Sequence, residues 1–271
     1  MAGWTLADIP WDEFDRDRVD PDIVPIVKAA SLVEYNAEEY RVYLNGVFHD
    51  DPRMQIAVDG WAKEEIQHGL ALGRWAKMAD PEFDFEASFA RFRDGFRLPA
   101  GLSDSVRGSR SGELVARCMV ETGTNTYYSA LAEATEEPVL KEICRRIAAD
   151  EFAHYYLFYT HMTRYLDREA LGFWSRLRVA VSRIGETEDD ELAYAYYAAN
   201  GGDRPYERRR NSGAYGKSAL SYCTPGTLER SVEMVLQAVG IRTRRWISRP
   251  AGLLFWALLR LRMSMLARGA H

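Results

Sequence analysis

The sequence predicts an all-α protein built around four long helices. Apolar residues recur at the spacing of helical faces rather than alternating, and Ala, Leu, Glu and Arg are abundant. The 271 residues suffice for one large domain, and 47% hydrophobic with 28% charged residues is a globular composition. The net charge of −5 argues against a dedicated nucleic-acid binder.

Proline, glycine and aspartate divide the chain into its predicted helices. We expect the four long helices at about residues 23–47, 52–78, 113–134 and 139–166, with a short helix near Phe89. The second and third helices are separated by the long segment 80–112. A connection of this length can cross from one end of a helical bundle to the other.

Further helices are predicted after the fourth. A fifth helix is expected over 170–185, then a polar, loop-rich stretch at 186–226, and a last helix that Thr227 begins and that runs to Val239. The expected organisation is an N-terminal extension (1–22), a four-helix domain (23–166), accessory helices and loop (167–240) and a basic amphipathic C-terminal tail (241–271).

Two short motifs of the same form lie in predicted helices. Glu65 and His68 form one Glu-x-x-His pair, and Glu151 and His154 form another. Residues three apart share a helical face, so each carboxylate and imidazole point the same way. A single pair of this kind arises easily by chance, but two on separate helices indicate a metal site.

Each motif also follows a glutamate on the preceding helix at nearly the same distance. Glu34 precedes Glu65 by 31 residues, and Glu121 precedes Glu151 by 30. Two antiparallel hairpins of equal arm length would bring these residues to one depth. Glu38 is the alternative to Glu34, but it lies only 27 residues before Glu65.

These acids fall on apolar helical faces, where an unpaired charge is costly to bury. Two metal ions would supply the missing positive charge. One Glu from each of two helices and Glu-x-x-His from each of two others is the ligand set of ferritin-like di-iron and di-manganese bundles. The sequence therefore predicts two iron ions, with a manganese–iron pair as the alternative, held by Glu34, Glu65, His68, Glu121, Glu151 and His154.

Residues around the ligands carry a more specific resemblance. Residues 61–69 resemble the Trp-x-x-Glu-Glu-x-x-His-Gly segment of the soluble acyl-carrier-protein (acyl-ACP) desaturases, and residues 121–124 resemble their Glu-x-x-Thr. Residues 147–154 resemble their Ile-Ala-x-Asp-Glu-x-x-His, and the likeness covers roughly 25–165. The ligand pattern alone is shared with rubrerythrins, ribonucleotide reductase small subunits and tRNA hydroxylases.

The resemblance implies a ferritin-like four-helix bundle with one long crossover connection and additional C-terminal helices. It implies an O2-dependent di-iron oxidoreductase that acts on an unactivated C–H bond of a fatty acyl chain, with a ferredoxin-type electron donor. Removal of two hydrogens would give an alkene, and oxygen insertion an alcohol. Thr124 matches a threonine on the oxygen-binding side and Asp150 a residue linked to electron transfer, although each is also an ordinary helix residue.

Other functions share the ligand pattern. One alternative is a di-iron hydroxylase of another substrate, including modified tRNA, although the net acidity disfavours nucleic acid. Another is a rubrerythrin- or ferritin-like protein that handles metal or scavenges peroxide. The expected partners are an acyl chain, on an acyl carrier protein if the resemblance holds, and a second copy of the chain in a homodimer.

Composition also bears on location. Three scattered cysteines and an N-terminus without an apolar signal segment predict a cytoplasmic protein. The longest apolar run, 251–259, is too short to span a bilayer. The tail carries seven arginines and no acid after Glu233, so it is expected to pack on the bundle, lie on an anionic membrane or grip an acidic carrier.

Overall fold

A computed structural model of the chain describes residues 3–98, 102–186, 190–201, 204–241 and 248–257. Throughout these ranges every regular element is a helix, which confirms the all-α prediction. The α-helices are α1 (Val24–Tyr35), α2 (Ala37–Val47), α3 (Pro52–Ala79), α4 (Phe85–Gly95), α5 (Arg110–Ala134), α6 (Pro138–Glu169), α7 (Phe173–Gly185), α8 (Asp190–Asn200), α9 (Arg208–Ser221) and α10 (Pro225–Val239). Three short 3-10 helices precede them (Leu6–Asp8, Trp11–Glu13 and Arg16–Arg18), and 248–257 is helical.

The long helices begin at local capping signals. Asp51 accepts a hydrogen bond from the backbone of Met54 and is followed by a proline, and Ser109 accepts from Gly112. Glu137 caps α6 by accepting from the backbone of Val139 and Leu140. These caps satisfy backbone groups that the first helical turn leaves unpaired.

The first predicted helix is in fact two helices. The chain breaks at Asn36, whose N–H donates to the carbonyls of Leu32 and Val33 at 3.2 and 3.1 Å. The spacing of apolar residues continues across the break, so periodicity alone gave no sign of it. As a result, Glu34 lies at the last turn of α1.

Contacts at the helix ends fix the direction of the main helices. Asp51, just before α3, accepts from Tyr165 near the end of α6 at 2.7 Å. At the other end, Trp75 of α3 donates to Glu137 at the start of α6 at 2.7 Å. The two helices are therefore antiparallel. Because Arg110, at the start of α5, donates to the Val47 carbonyl at 2.9 Å, α5 starts at the same end as α3.

The chain between α3 and α5 must consequently return along the length of these helices. It carries α4, which packs on α1 and α8. α5 and α6 pair along their length, α1 packs on α3, and α3 meets α6. The core thus lies between α1, α3, α5 and α6.

The prediction of a loop-rich stretch at 186–226 is wrong, since α8 and α9 lie within it. Two alanines of α8, Ala195 and Ala198, are buried in a cluster with Ala29, Leu32 and Phe92. Small residues let α8 lie close to α1, and this tertiary packing outweighs the polar composition that suggested a loop. The last helix also begins earlier than expected, because Thr224 rather than Thr227 is its capping residue.

Only part of the basic tail falls within the described residues. In 248–257, Ser248 donates to Glu233 of α10 at 2.6 Å. Six of the seven arginines predicted to give the tail its charge lie outside the described ranges. No helix in the ranges that the structure describes has the length and hydropathy needed to cross a membrane.

Glu137 ties three parts of the core together, so we expect Glu137→Ala to lower the free energy of unfolding by about 2–4 kcal/mol. The substitution removes the α6 cap and leaves the buried Trp75 indole N–H and the Asp15 N–H without an acceptor. Urea denaturation followed by circular dichroism measures the change. Glu136→Ala, at the neighbouring exposed position, is the control, and equal stability of the two variants would contradict the prediction.

Candidate metal centre

Six acidic and imidazole side chains converge between four helices. α1 contributes Glu34 near its end, while α5 contributes Glu121 from its middle. The Glu-x-x-His pairs come from α3 and α6. All six predicted ligands are buried, and none of these residues is more than 7% exposed: Glu34, Glu65, His68, Glu121, Glu151 and His154.

The six residues form two overlapping groups. Each group offers four ligand atoms within 4.8 Å of one another, and each could hold a metal ion. Glu65 and Glu151 belong to both groups. Glu34 and His68 complete the first group, and the second is completed by Glu121 and His154. The two groups thus share two carboxylates, and each has one further Glu and one His of its own. This arrangement suits a pair of metal ions.

Unpaired polar atoms support metal binding at this site. Each of the six side chains has one buried oxygen or nitrogen without a hydrogen-bond partner in the described residues: Glu34 Oε2, Glu65 Oε1, His68 Nδ1, Glu121 Oε1, Glu151 Oε1 and His154 Nδ1. Several of these atoms face one another at ion-pair distance, the nearest being His154 Nδ1 and Glu65 Oε1 at 3.0 Å. A buried polar atom of this kind costs free energy unless something binds it. The donor set therefore fits metal ions that prefer carboxylate and imidazole.

The two imidazoles are oriented by acids on the opposite motif helix. His68 Nε2 lies 3.0 Å from Asp150 Oδ2, and His154 Nε2 lies 2.7 Å from Glu64 Oε2. These bonds turn each Nδ1 toward the cluster, where His154 Nδ1 is 3.0 Å from Glu65 Oε1. An acid on the far nitrogen fixes the ring and its tautomer and makes the free nitrogen a better ligand.

The reciprocal pairing gives Glu64 a role that the sequence analysis did not assign. The signal was present, since an acid stands directly before each ligand Glu, four residues before the His: Glu64 in one motif and Asp150 in the other. What the sequence could not show is that each acid serves the histidine of the other helix.

Thr124 lies beside the cluster on α5, as the resemblance implied. Its hydroxyl is 2.7 Å from Glu151 Oε2 and 3.2 Å from the carbonyls of Val120 and Glu121. The hydroxyl therefore contacts its own helix, as an ordinary helix threonine does, and also a candidate metal ligand. The carboxylate of Glu151 is the nearer acceptor. The bond leaves Glu151 Oε1 to face His68 Nδ1 at 3.4 Å.

Asp150 connects the cluster to the N-terminal segment. The Trp4 indole N–H donates to Asp150 Oδ2 at 2.6 Å, and the Trp4 ring stacks on His68 with centroids 5.9 Å apart. Gln67 holds Trp4 in place by donating to its carbonyl at 2.9 Å. A continuous chain of contacts thus runs from the half-buried Trp4 to a candidate ligand.

One hydrogen bond and one close approach between helices position Glu34 in the cluster. The Tyr128 hydroxyl donates to Glu34 Oε1 at 2.5 Å. Gly69 lets α1 approach α3, because a Cβ at this position would lie 2.5 Å from the backbone nitrogen of Tyr35. Glu38, the alternative ligand, instead pairs with Arg41 at 2.6 Å.

Electrostatics in the cluster follow from burying four carboxylates together. Burial raises the pKa of Glu65 and Glu121 well above the ordinary 4.5, and the charge of Glu151 raises both pKa values further. Burial also acts to raise the pKa of Glu151, but the nearby imidazoles of His154 and His68 outweigh it and hold this pKa well below 4.5.

Comparison with known protein families and with curated proteins finds no match for this chain.

Since Glu151 belongs to both ligand groups, we expect Glu151→Gln to lower metal binding at both positions. The amide keeps the size of the side chain but removes its negative charge. Anaerobic titration with Fe(II), with metal content measured after gel filtration, checks the stoichiometry. Glu142→Gln, which changes a partly exposed acid of the same helix, should bind as the unaltered chain does. Equal loading of the two variants would count against the site.

Asp150→Asn should weaken metal affinity by about 10- to 100-fold while leaving all six ligands in place. The reason is that His68 loses the carboxylate that orients its ring. Competition with a chelator of known affinity measures the change. Glu64→Gln should act in the same way through His154, and unchanged affinity in both variants would show that these acids do not position the imidazoles.

Proposed function

We propose that the chain is an O2-dependent di-iron oxidoreductase, built on a ferritin-like four-helix bundle of α1, α3, α5 and α6, that oxidises an unactivated C–H bond of a fatty acyl chain. The observation that carries the proposal is the set of six buried ligand atoms without hydrogen-bond partners in the described residues. The acyl-ACP desaturase-like segments around these ligands support the choice of substrate and of ferredoxin-type electron donor.

Charge and donor type support two iron ions at this site. With metal bound, four ionised carboxylates would carry four negative charges, which two divalent ions would neutralise, and two neutral imidazoles would complete the set. Carboxylate and imidazole suit iron and manganese better than metals that prefer thiolates. A manganese–iron pair fits the same donors.

Iron bound here would supply O2 activation and one-electron chemistry that no side chain provides. The protein's own residues hold and orient the reacting centre. Thr124 fixes one oxygen of Glu151 and places a hydroxyl beside the cluster, where it can hold or pass a proton. The apolar wall around the site, which includes Trp61 and Phe158, excludes bulk water.

The contacts of Trp4 support electron entry from the surface. Its indole N–H bonds Asp150, which bonds His68, so three side chains connect the N-terminal segment to the ligand cluster. An electron donor that docks over residues 3–8 would need no deeper access. The same path serves a desaturase and a hydroxylase equally.

We expect the iron-loaded protein, supplied with O2 and reduced ferredoxin, to oxidise long-chain acyl-ACPs. Mass spectrometry of the acyl chains distinguishes the outcomes: loss of two hydrogens marks a desaturase, and gain of one oxygen atom marks a hydroxylase. Glu151→Ala is the inactive control because it removes a ligand shared by both metal positions.

Two results would contradict the proposal in different ways. Binding of two irons without any change in the acyl chains would support the metal centre but refute an acyl chain as the substrate. Rapid consumption of hydrogen peroxide by such a protein would then favour a scavenger. Failure to bind iron would refute the proposed function entirely.

A further inference from the structure

An arginine is buried in the core next to the candidate metal centre. Arg117 of α5 is only 6% exposed. It lies four residues before the ligand Glu121, which is about 6 Å along the helix axis. Trp61 of α3 stands in the same relation to the ligand Glu65. Arg117 and Trp61 thus belong to the layer of the core adjacent to the ligands.

Aromatic rings surround the guanidinium. Its Cζ lies 4.7 Å from the ring centroid of Tyr40 and 5.9 Å from that of Trp61. Phe158 of α6 packs edge-on against Trp61 at 5.6 Å. These rings attract a cation, but they offer no acceptor in the plane of the guanidinium N–H groups.

Two hydrogen-bond donors in this layer are unused. The Nε of Arg117 and the indole Nε1 of Trp61 are both buried, and neither has a partner among the described residues. Such donors are costly to leave unpaired in the interior. Two of them within one layer, one of them charged, indicate a bound acceptor.

The nearby acids are already engaged elsewhere. Glu113, one turn before Arg117, accepts from Tyr43 and Ser105, each at 2.7 Å. Glu191 accepts from the Tyr40 hydroxyl at 2.6 Å. Within the described ranges, no carboxylate forms an ion pair with Arg117. The metal ligands do not need its charge either, since two divalent ions balance four carboxylates.

We propose that Arg117 and Trp61 form the carboxylate-binding subsite for a small free monocarboxylic acid, which is the substrate of the adjacent metal centre. The inference rests on the proposed di-iron oxidoreductase and gives it a different substrate, a small free acid in place of an acyl chain on a carrier. The activity assay distinguishes these two alternatives. The carboxylate would lie about 6 Å along the bundle from the ligands, so carbons near the acid end, rather than a distant chain end, would face them.

Charge and surroundings favour a monocarboxylate over phosphate. One guanidinium balances one negative charge, whereas a phosphate dianion would leave a second charge buried among Tyr40, Trp61 and Phe158. A guanidinium also matches the planar geometry of a carboxylate with two parallel N–H bonds. The aromatic walls suit the apolar carbons that follow the acid group.

Butyrate is the probe, with butyramide as its neutral isostere. Isothermal titration calorimetry and thermal unfolding are measured on the full chain, both metal-free and loaded anaerobically with Fe(II). We expect butyrate to bind and to raise Tm with concentration, and butyramide to do neither. Arg117→Met should weaken butyrate binding about tenfold or more, because it removes a charged hydrogen-bonding partner.

The Arg117→Met variant also shows whether Arg117 serves to bind a ligand or to stabilise the fold. If Arg117 is kept for a ligand, Arg117→Met should leave the ligand-free Tm unchanged or higher, because an unpaired buried charge is gone. Arg178→Met, which removes an exposed arginine of α7, should bind butyrate as the unaltered chain does. Should Arg117→Met fail to fold, Arg117→Lys keeps the charge but loses the paired N–H geometry, and should weaken binding.

Three outcomes would overturn the inference: no butyrate binding by the unaltered chain, butyrate binding that persists in Arg117→Met, or tighter binding of inorganic phosphate than of butyrate. A chain that binds two irons and oxidises acyl-ACPs but not butyrate refutes this inference alone. A chain that binds butyrate through Arg117 but takes up no iron refutes the proposed function alone.

Discussion

The burial of four carboxylates in one layer of the core is the constraint on which the site depends. Their mutual repulsion and loss of water would destabilise the fold if nothing compensated them. The two imidazoles compensate in part, and they hold the pKa of Glu151 well below 4.5. Six ligand atoms without a hydrogen-bond partner among the described residues could be satisfied by metal ions. Metal binding would account for four buried carboxylates in a helical core, whereas packing alone gives no reason to bury them.

Much of the surrounding structure holds this layer in register. Glu137 fixes the start of α6 against α3, and Asp51 fixes its far end. Gly69 brings α1 close enough for Glu34 to reach the cluster. Around the ligands, Asp150 and Glu64 orient the imidazoles, and Thr124 orients a carboxylate. The site is therefore positioned by helices rather than by loops, which favours a rigid geometry.

The layer beside the metal centre differs in kind. It holds a buried cation among aromatic rings rather than anions among imidazoles. Both layers contain polar atoms that the described residues do not satisfy. A cation site for a carboxylate next to a metal site for O2 chemistry would bring the two reactants together. If the proposal holds, this combination would account for an arginine in the core where an apolar side chain would pack at lower cost.

The sequence by itself determined the features that helical periodicity controls. It predicted three of the four long helices, α3, α5 and α6, and the three-residue spacing and matched separations identified the residues now found together. Tertiary structure alone decided the break at Asn36, the helices α8 and α9, the pairing of Glu64 with His154 and the isolation of Arg117. The physical reason is that spacing along one helix is a local property. Which side chain of one helix meets which of another depends on how the helices pack.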